Sequence, residues 1–303
     1  MLVHDVLIEE TFAEAFTMRA ARILVTAVSP RWARECALKL TGFATSVIGC
    51  KCEAGIEREL APDETPDGRP GVSMLLMVMA KDELATRLVE RIGQTVLTCP
   101  TTACYDGFPD APDRAPVGKL LRYFGDGFQG SKQIGGRRFW RVPVMEDEFL
   151  VQDDFGMVKA IGGGNFLIQA RDAADALGAA EAAVDAMSPL PGIIMPFPGG
   201  VVRSGSKVGS RRTKAMIAST NDAYCPTLRA VAASALAEDV NSVLEIVING
   251  VDAPAISRAM RAGIEAACRP GVVAIGAGNY GGKLGPHHFH LRRIMGEGDD
   301  TGT

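Results

Sequence analysis

The chain has 303 residues, enough for two domains and a large buried core. It is 47% hydrophobic and 22% charged, as water-facing globular proteins are, and a net charge of −4 gives it no nucleic-acid footprint. No apolar run approaches a membrane span, the start lacks the basic and apolar regions of a signal peptide, and the seven cysteines are odd in number and scattered without zinc-site spacing, so the expectation is a reduced, cytoplasmic protein that does not enter membranes.

In chain order, Arg22 to Val28 reads as a strand, and Ser29-Pro30 opens a helix through Trp32, Cys36 and Leu40 that stops at Gly42. Thr45 to Ile48 reads as a second strand. Thr65 to Gly71 is a loop of tight turns, and Val72 to Val78 is a third strand. Asp82 is the expected cap of a helix through Leu84, Leu88 and Ile92, and Thr95 to Thr98 reads as the next strand. Residues 105–140, rich in Gly, Pro, Asp and Arg, predict loops with short strands.

The order then repeats. Asn165 to Ala170 is a strand, and Asp172 caps an Ala-rich helix to about Met187. A strand at Gly192 to Met195 leads into Pro196-Phe-Pro-Gly-Gly200 and a long loop to about residue 240. A further strand, a helix from Asp252 to about Cys268 and the strand Val272 to Ile275 complete the second round. This predicts an α+β protein of two similar ferredoxin-like α/β sandwich lobes from an internal duplication, spanning residues 1–148 and 149–295, with a small, polar, disordered tail at 296–303.

The stretch with the most chemical content is Asn241-Ser-Val-Leu-Glu-Ile-Val-Ile-Asn-Gly250. β-Branched residues crowd it and Asn-Gly closes it, so it reads as a strand. Period-two alternation puts Val243, Glu245, Val247 and Asn249 on one face. Glu245 is then a lone carboxyl among aliphatics, and burial without a cation raises a carboxyl's pKa. The competing reading is an edge strand whose glutamate meets water.

Other signals are weaker. Gly125-Asp-Gly-Phe-Gln-Gly130 and Gly276-Ala-Gly-Asn-Tyr-Gly281 match the dinucleotide fingerprint, but neither is followed by residues that open a long helix. Both read as turns, and the second, which follows a strand, could line a pocket. A nicotinamide-dependent oxidoreductase would rest on these matches alone. His287-His288-Phe289-His290 could place two imidazoles on one face of a strand, but no carboxylate or cysteine nearby completes a metal site, so no metal is expected. Lys207, Arg211 and Arg212 lie in a Gly/Ser-rich loop, which suits either a carboxylated or phosphorylated ligand or plain solvation. Ser219-Thr-Asn-Asp-Ala-Tyr-Cys-Pro-Thr227 is a candidate hydrogen-bonding wall for a polar ring. Cys225 as a nucleophile lacks an assignable histidine.

Taken together, these segments resemble the formylmethanofuran–tetrahydromethanopterin formyltransferase family. The resemblance runs from Thr11-Phe-Ala-Glu-Ala-Phe16, Glu53-Ala-Gly-Ile56 and Thr65 to Gly71 through Arg91-Ile-Gly-Gln94, Phe124-Gly-Asp-Gly127 and Gly163-Gly-Asn-Phe166. It continues through Pro196 to Gly200, Ser206-Lys-Val-Gly-Ser210, Ser219 to Thr227, Glu245 to Gly250, Gly263 to Cys268 and Gly278 to Gly285.

The resemblance implies a two-lobed acyltransferase that moves a formyl group between tetrahydromethanopterin and methanofuran, or an analogue. The two coenzymes would be substrates, with no tightly bound cofactor. It also implies an oligomer, a homodimer or homotetramer or an assembly with hydrolase subunits. The family's active-site glutamate aligns with Glu245. The chain is most similar to the bacterial methylotroph branch, where the enzyme is the formyltransferase subunit of a formyltransferase/hydrolase complex oxidising formaldehyde to formate.

Formyl transfer between nitrogens needs alignment of two coenzymes, stabilisation of an oxyanion and movement of one proton. Protonated Glu245 is expected to serve the oxyanion or the proton. Asn165 and the loop residues Ser219, Thr220, Asn221, Asp222 and Tyr224 are expected to shape the pterin and formyl pocket, and Lys207 and Arg211 to meet coenzyme carboxylates. The alternative is a non-catalytic subunit that only holds the furan coenzyme for a formyl-hydrolase complex.

Overall fold

The structure, a computed structural model, describes residues 1–213 and 216–296. From residue 297 on, the tail expected to be disordered lies outside the described residues. Two compact units form: Met18–Ala160, and Met1–Thr17 together with the chain from Ile161 on.

Eight strands and four helices carry the two units, in the order β1 (Phe12–Thr26), α1 (Pro30–Thr41), β2 (Glu53–Leu60), β3 (Gly71–Val78), α2 (Lys81–Arg91) and β4 (Ala103–Asp106), then β5 (Phe155–Ala170), α3 (Ala173–Met187), β6 (Ile193–Ile194), β7 (Ser242–Gly250), α4 (Ala253–Ala267) and β8 (Val272–Gly276). In the Met18–Ala160 unit the antiparallel order is β2-β3-β1-β4. In the other unit it is β6-β7-β5-β8, again antiparallel. Each unit therefore contains the same strand–helix–strand–strand–helix–strand arrangement, which is the ferredoxin-like split unit and its repetition.

Amphipathic spacing drives the helices onto their sheets. On α1, Ala33, Cys36, Ala37 and Leu40 are buried at the intervals of one helical face. On α3 the buried residues are Ala176, Ala179, Ala180, Ala183 and Met187, and small side chains let it lie close to α4. Asp172 and Asp252 cap α3 and α4 as the sequence predicts, each accepting a backbone N–H three residues on, at 2.8 and 2.7 Å. All eight residues of β3 are buried, so its period-two signal vanishes into a continuous apolar run.

Three expectations are corrected. Thr45 to Ile48 is not a strand. Ser46 accepts the Ile48 N–H and starts the short helix Val47–Cys50, and the strand is β2 instead. Thr95 to Thr98 is not a strand either. The chain leaves α2 through a π-helical turn, Ile92–Val96, with the Thr95 and Thr98 hydroxyls bonded back to the carbonyls of Arg91 and Gln94, and the strand follows at β4. Finally, α2 starts one residue before Asp82, with Ala80 at its N-cap.

In the unit containing residues 161–296, Phe166, Ile168, Ile246, Ile248 and Ile275 join α3 and α4 in one apolar core. Alternation sends Asn165, Leu167, Gln169, Glu245, Val247 and Asn249 to the opposite face of the same sheet. Asn165, Gln169 and Asn249 are buried there, so that face is polar and still enclosed.

Candidate functional site

Glu245 lies on this polar face. It pairs across the ladder with Leu167 of β5 on one side and Val202 on the other. Leu167 in turn pairs with Gly276 of β8, so the segment leaving β8 starts level with Glu245. Glu245 is half-buried, and the protein crowding its carboxyl pushes its pKa up to about 7, with desolvation as the cause. β7 is paired on both sides, so Glu245 does not sit on an edge strand.

The segment after Gly276 is fixed by two residues. Asn165 donates to the carbonyls of Gly163 and Gly278 and accepts the Gly278 N–H, at 3.0, 3.1 and 2.6 Å. Glu14, 1% exposed on β1, accepts four backbone N–H groups: Tyr280 (2.6 Å), Gly282 (2.9 Å), Leu284 (2.6 Å) and Gly285 (2.7 Å). Burial alone would push the Glu14 pKa up, but the four donors outweigh it and hold the group at about 2. Gly281 and Gly282, at φ of 73° and 71°, adopt the left-handed conformation that lets successive amides converge on one carboxylate.

Tyr280, carried by this loop, is half-buried, with its ring centre 6.3 Å from that of Phe16. Burial, first, and then the charge of Glu245 raise its pKa. Glu9 adds a second carboxylate: it accepts from Gln169 Nε2 at 2.7 Å, and its charge, after burial, raises the pKa of Tyr224. A Cβ added at 276 would stand 2.5 Å from Glu9 Oε2, so the Glu9 side chain would have to shift to admit one.

The other sequence-chosen residues gather in part. Lys207 and Ser219 pair in a two-stranded ribbon, and the Ser219 hydroxyl donates to the Gly209 carbonyl at 2.6 Å. Lys207 forms an ion pair with Asp222, which lowers the Asp222 pKa, and Arg211 lowers it further from a distance. Asn221 flanks the 3₁₀ turn Asp222–Tyr224. Thr220 Oγ1 contacts Cys225 Sγ at 3.4 Å, and Cys225 donates to the Asn221 carbonyl at 3.2 Å. These partners leave the thiol no general base. Arg211 is exposed.

Sequence reasoning missed Glu9, Glu14 and Tyr280 as site residues. The glycine-rich run Gly276 to Gly281 was the available signal for Tyr280. The three clustered histidines occupy the strand His287–His290 on β1, where Phe12 stacks between His288 and His290 at 4.8 and 5.3 Å. Among the described residues no three His, Cys, Asp or Glu side chains are grouped to hold a metal, and no helix is long and apolar enough to cross a membrane.

A split α+β unit built twice, with a half-buried carboxyl of raised pKa on a polar strand face of one copy, defines a two-lobed α+β protein. A family profile described as formylmethanofuran-tetrahydromethanopterin formyltransferase matches residues 1–144, and the same family's proximal lobe matches residues 147–294. The chain belongs to that family.

A formylmethanofuran–tetrahydromethanopterin formyltransferase of Methylococcus capsulatus is 60% identical over 97% of this chain and 100% of its own length. One subunit of the formyltransferase/hydrolase complex of Methylorubrum extorquens is 52% identical, covering 97% of each chain. Among solved structures, the formyltransferase of Methanosarcina barkeri superposes with a TM-score of 0.93 at 49% identity, covering 97% of this chain and 100% of that one. A chain of the Methylorubrum extorquens formyltransferase/hydrolase complex with methylofuran superposes with a TM-score of 0.94 at 51% identity, covering 97% and 98%.

Proposed function

We propose that this chain is a formyltransferase that moves a formyl group between the ring nitrogen of tetrahydromethanopterin and the amine of methanofuran or an analogue. Family membership and the names of relatives matched end to end support the reaction. The observation that carries the chemistry is Glu245, a carboxyl on an enclosed polar face whose pKa sits at about 7 because of burial.

The amine nitrogen attacks the formyl carbon, and the carbonyl electron pair moves to oxygen. The tetrahedral adduct then collapses, and the bond to the departing nitrogen breaks with its electron pair going to that nitrogen. Protonated Glu245 supplies the proton the departing nitrogen needs, and the resulting carboxylate takes the proton lost by the attacking nitrogen. No net proton or electron is exchanged, so the step requires only alignment and electrostatic stabilisation.

In this reading Asn165 sets the loop beside the formyl group. Ser219, Thr220, Asn221, Asp222 and Tyr224 form one wall of the pterin site, and Lys207 and Arg211 meet coenzyme carboxylates. The coenzymes are substrates rather than resident groups. Residues 1–148 and 149–295 are the two duplicated lobes.

The likeness to one chain of a formyltransferase/hydrolase complex supports assembly with hydrolase subunits in a cytoplasmic route from formaldehyde to formate; self-association as a dimer or tetramer is the other assembly proposed. The test is formyl transfer by purified chain supplied with both coenzymes, followed spectrophotometrically beside Glu245→Gln. The variant should bind both coenzymes and lose roughly 10²–10⁴-fold in turnover. Binding without turnover by the wild-type chain would instead indicate a coenzyme-holding subunit.

A further inference from the structure

In the unit containing residues 161–296 the sheet runs one strand past β8. The strand Val6–Ile8 pairs parallel with β8, with Ile8 opposite Ile275, and the next residue, Glu9, donates its N–H to the Ile275 carbonyl at 3.0 Å. Ile8 and Ile275 both enter the apolar core, so alternation turns Glu9 and Gly276 to the opposite, polar face. Gly276 pairs with Leu167, and Leu167 with Glu245. One line across four strands therefore carries a carboxyl at each end, Glu9 and Glu245.

Two contacts fix where the Glu9 carboxylate lies on that face. Its Oε1 accepts from Nε2 of Gln169, a side chain 1% exposed, at 2.7 Å. Its Oε2 stands 2.5 Å from the place a Cβ would take on Gly276. The missing side chain at 276 thus gives the carboxylate its seat, one strand inward from its own backbone. The bond from Gln169 is charge-assisted and holds the negative charge over the sheet. Glu245 is two strand spacings further on, about 10 Å, with Leu167 between them. Among the described residues Glu9 Oε2 accepts no hydrogen bond, so it remains open to a donor.

We propose that Glu9 is a substrate-binding residue of this site: its carboxylate takes the paired N–H donors on the pyrimidine edge of the pterin, with Gln169 as its positioning residue. The assignment rests on the formyltransferase reading above. A pterin carries a ring N–H and an exocyclic amino group side by side on one edge. A carboxylate has about four lone-pair sites on its two oxygens, so it accepts such a pair even with one site taken by Gln169. The reacting end of the furan coenzyme offers a single amine and no such edge. The fused pterin ring is rigid, so an anchor at its pyrimidine edge fixes the formyl-bearing nitrogen of the other ring. A two-ring system with a hydrogen bond at each end suits the gap of two strand spacings and sets that nitrogen at the Glu245 carboxyl.

The test titrates tetrahydromethanopterin and, separately, methanofuran into the wild-type chain, Glu9→Gln, Gly276→Ala and Gln169→Leu by calorimetry. Turnover is followed alongside, with thermal denaturation as the control for folding. Glu9→Gln sets an amide N–H against a pterin N–H. It should weaken tetrahydromethanopterin binding, and raise its KM, by about 10–100-fold while methanofuran binding stays within about threefold. Gly276→Ala keeps the carboxylate but puts a methyl in its seat, so it should weaken tetrahydromethanopterin in the same selective way. It also carries the test if Glu9→Gln does not fold. Gln169→Leu should weaken tetrahydromethanopterin binding in the wild-type background and much less in the Glu9→Gln background, because it acts through Glu9. Unchanged tetrahydromethanopterin affinity in Glu9→Gln or Gly276→Ala would overturn the assignment, as would a loss that falls on methanofuran instead. Equal losses from Gln169→Leu in both backgrounds would overturn its positioning role. A wild-type chain that transfers no formyl group removes the formyltransferase reading, whereas an active wild type whose variants keep full affinity for tetrahydromethanopterin removes this inference alone.

Discussion

Asn165 and Gly278 hold each other from both sides: the asparagine carbonyl accepts the glycine N–H at 2.6 Å, and its amide donates to the glycine carbonyl at 3.1 Å. Asn165 is 6% exposed, and removing it takes a partner from the part-buried backbone groups of Gly163 and Gly278. Asn165→Ala should cost about 1–3 kcal/mol of stability and lower kcat as well, since the segment leaving β8 loses one anchor. Differential scanning calorimetry beside the two-coenzyme assay checks both effects; an unchanged melting temperature would contradict the first.

Glu245 ties stability to pH with a definite sign. Its folded pKa of about 7 lies above the ordinary 4.5, so between these values the folded chain holds a proton that the unfolded chain has released. The contribution of this group to stability is full below pH 4.5 and is lost as pH rises through about 7. At about 1.4 kcal/mol per unit the swing has a ceiling of about 3.5 kcal/mol, and water reaching part of the carboxyl brings it lower. Urea denaturation at several pH values should show this fall in the wild type and a flatter profile in Glu245→Gln. Turnover that depends on the protonated acid should likewise decline above about pH 7.

Lys207 and Asp222 are paired while each remains about 28–29% exposed. An ion pair this open to water contributes about 0–1 kcal/mol, so a ligand carboxylate can displace Asp222 at little cost. Lys207→Ala should therefore leave the melting temperature nearly unchanged and raise the KM of the coenzyme whose carboxylate it meets. The salt dependence of that KM should also weaken. Equal KM values across ionic strength in both proteins would remove Lys207 from coenzyme binding.

The Met18–Ala160 unit offers a control that separates folding from chemistry. Arg22 grips Glu57 with two bonds of 2.7 and 2.6 Å, and Ser73 adds a third at 2.7 Å. The Glu57 side chain is 3% exposed. Glu57→Ala leaves Arg22 without this partner and should cost about 3 kcal/mol. At temperatures where the variant remains folded, its kcat should match the wild type, because the Glu245 face belongs to the other unit. A large kcat loss in the folded variant would show that the two units are coupled in catalysis.

The Glu245 strand could be read from the sequence because β-branched residues crowd β7 and Asn-Gly closes it. Asp172 and Asp252 could be read because a cap acts within three residues of itself. β2 could not, since Glu53 to Leu60 mixes charges and a glycine, and its burial comes from pairing with β3. The β-branched run at Thr45 to Ile48 and the threonines at 95 and 98 point the wrong way, because short-range hydroxyl bonds and a cap decide those turns. Glu14 could not be read at all: its partners are 266–271 residues away, and no local pattern records a contact at that separation.

That separation has a consequence for biosynthesis. The residues Met1–Thr17 leave the ribosome before Met18–Ala160, yet they belong to the unit that includes Ile161 and residues beyond it. Met18–Ala160 can fold while translation continues, but Glu14 stays without its donors until Tyr280 to Gly285 have emerged. A nascent or prematurely terminated polypeptide can already display Glu245 and still lack the turn that closes on Glu14. The fold thus makes synthesis through Gly285 a condition for closing that turn on Glu14.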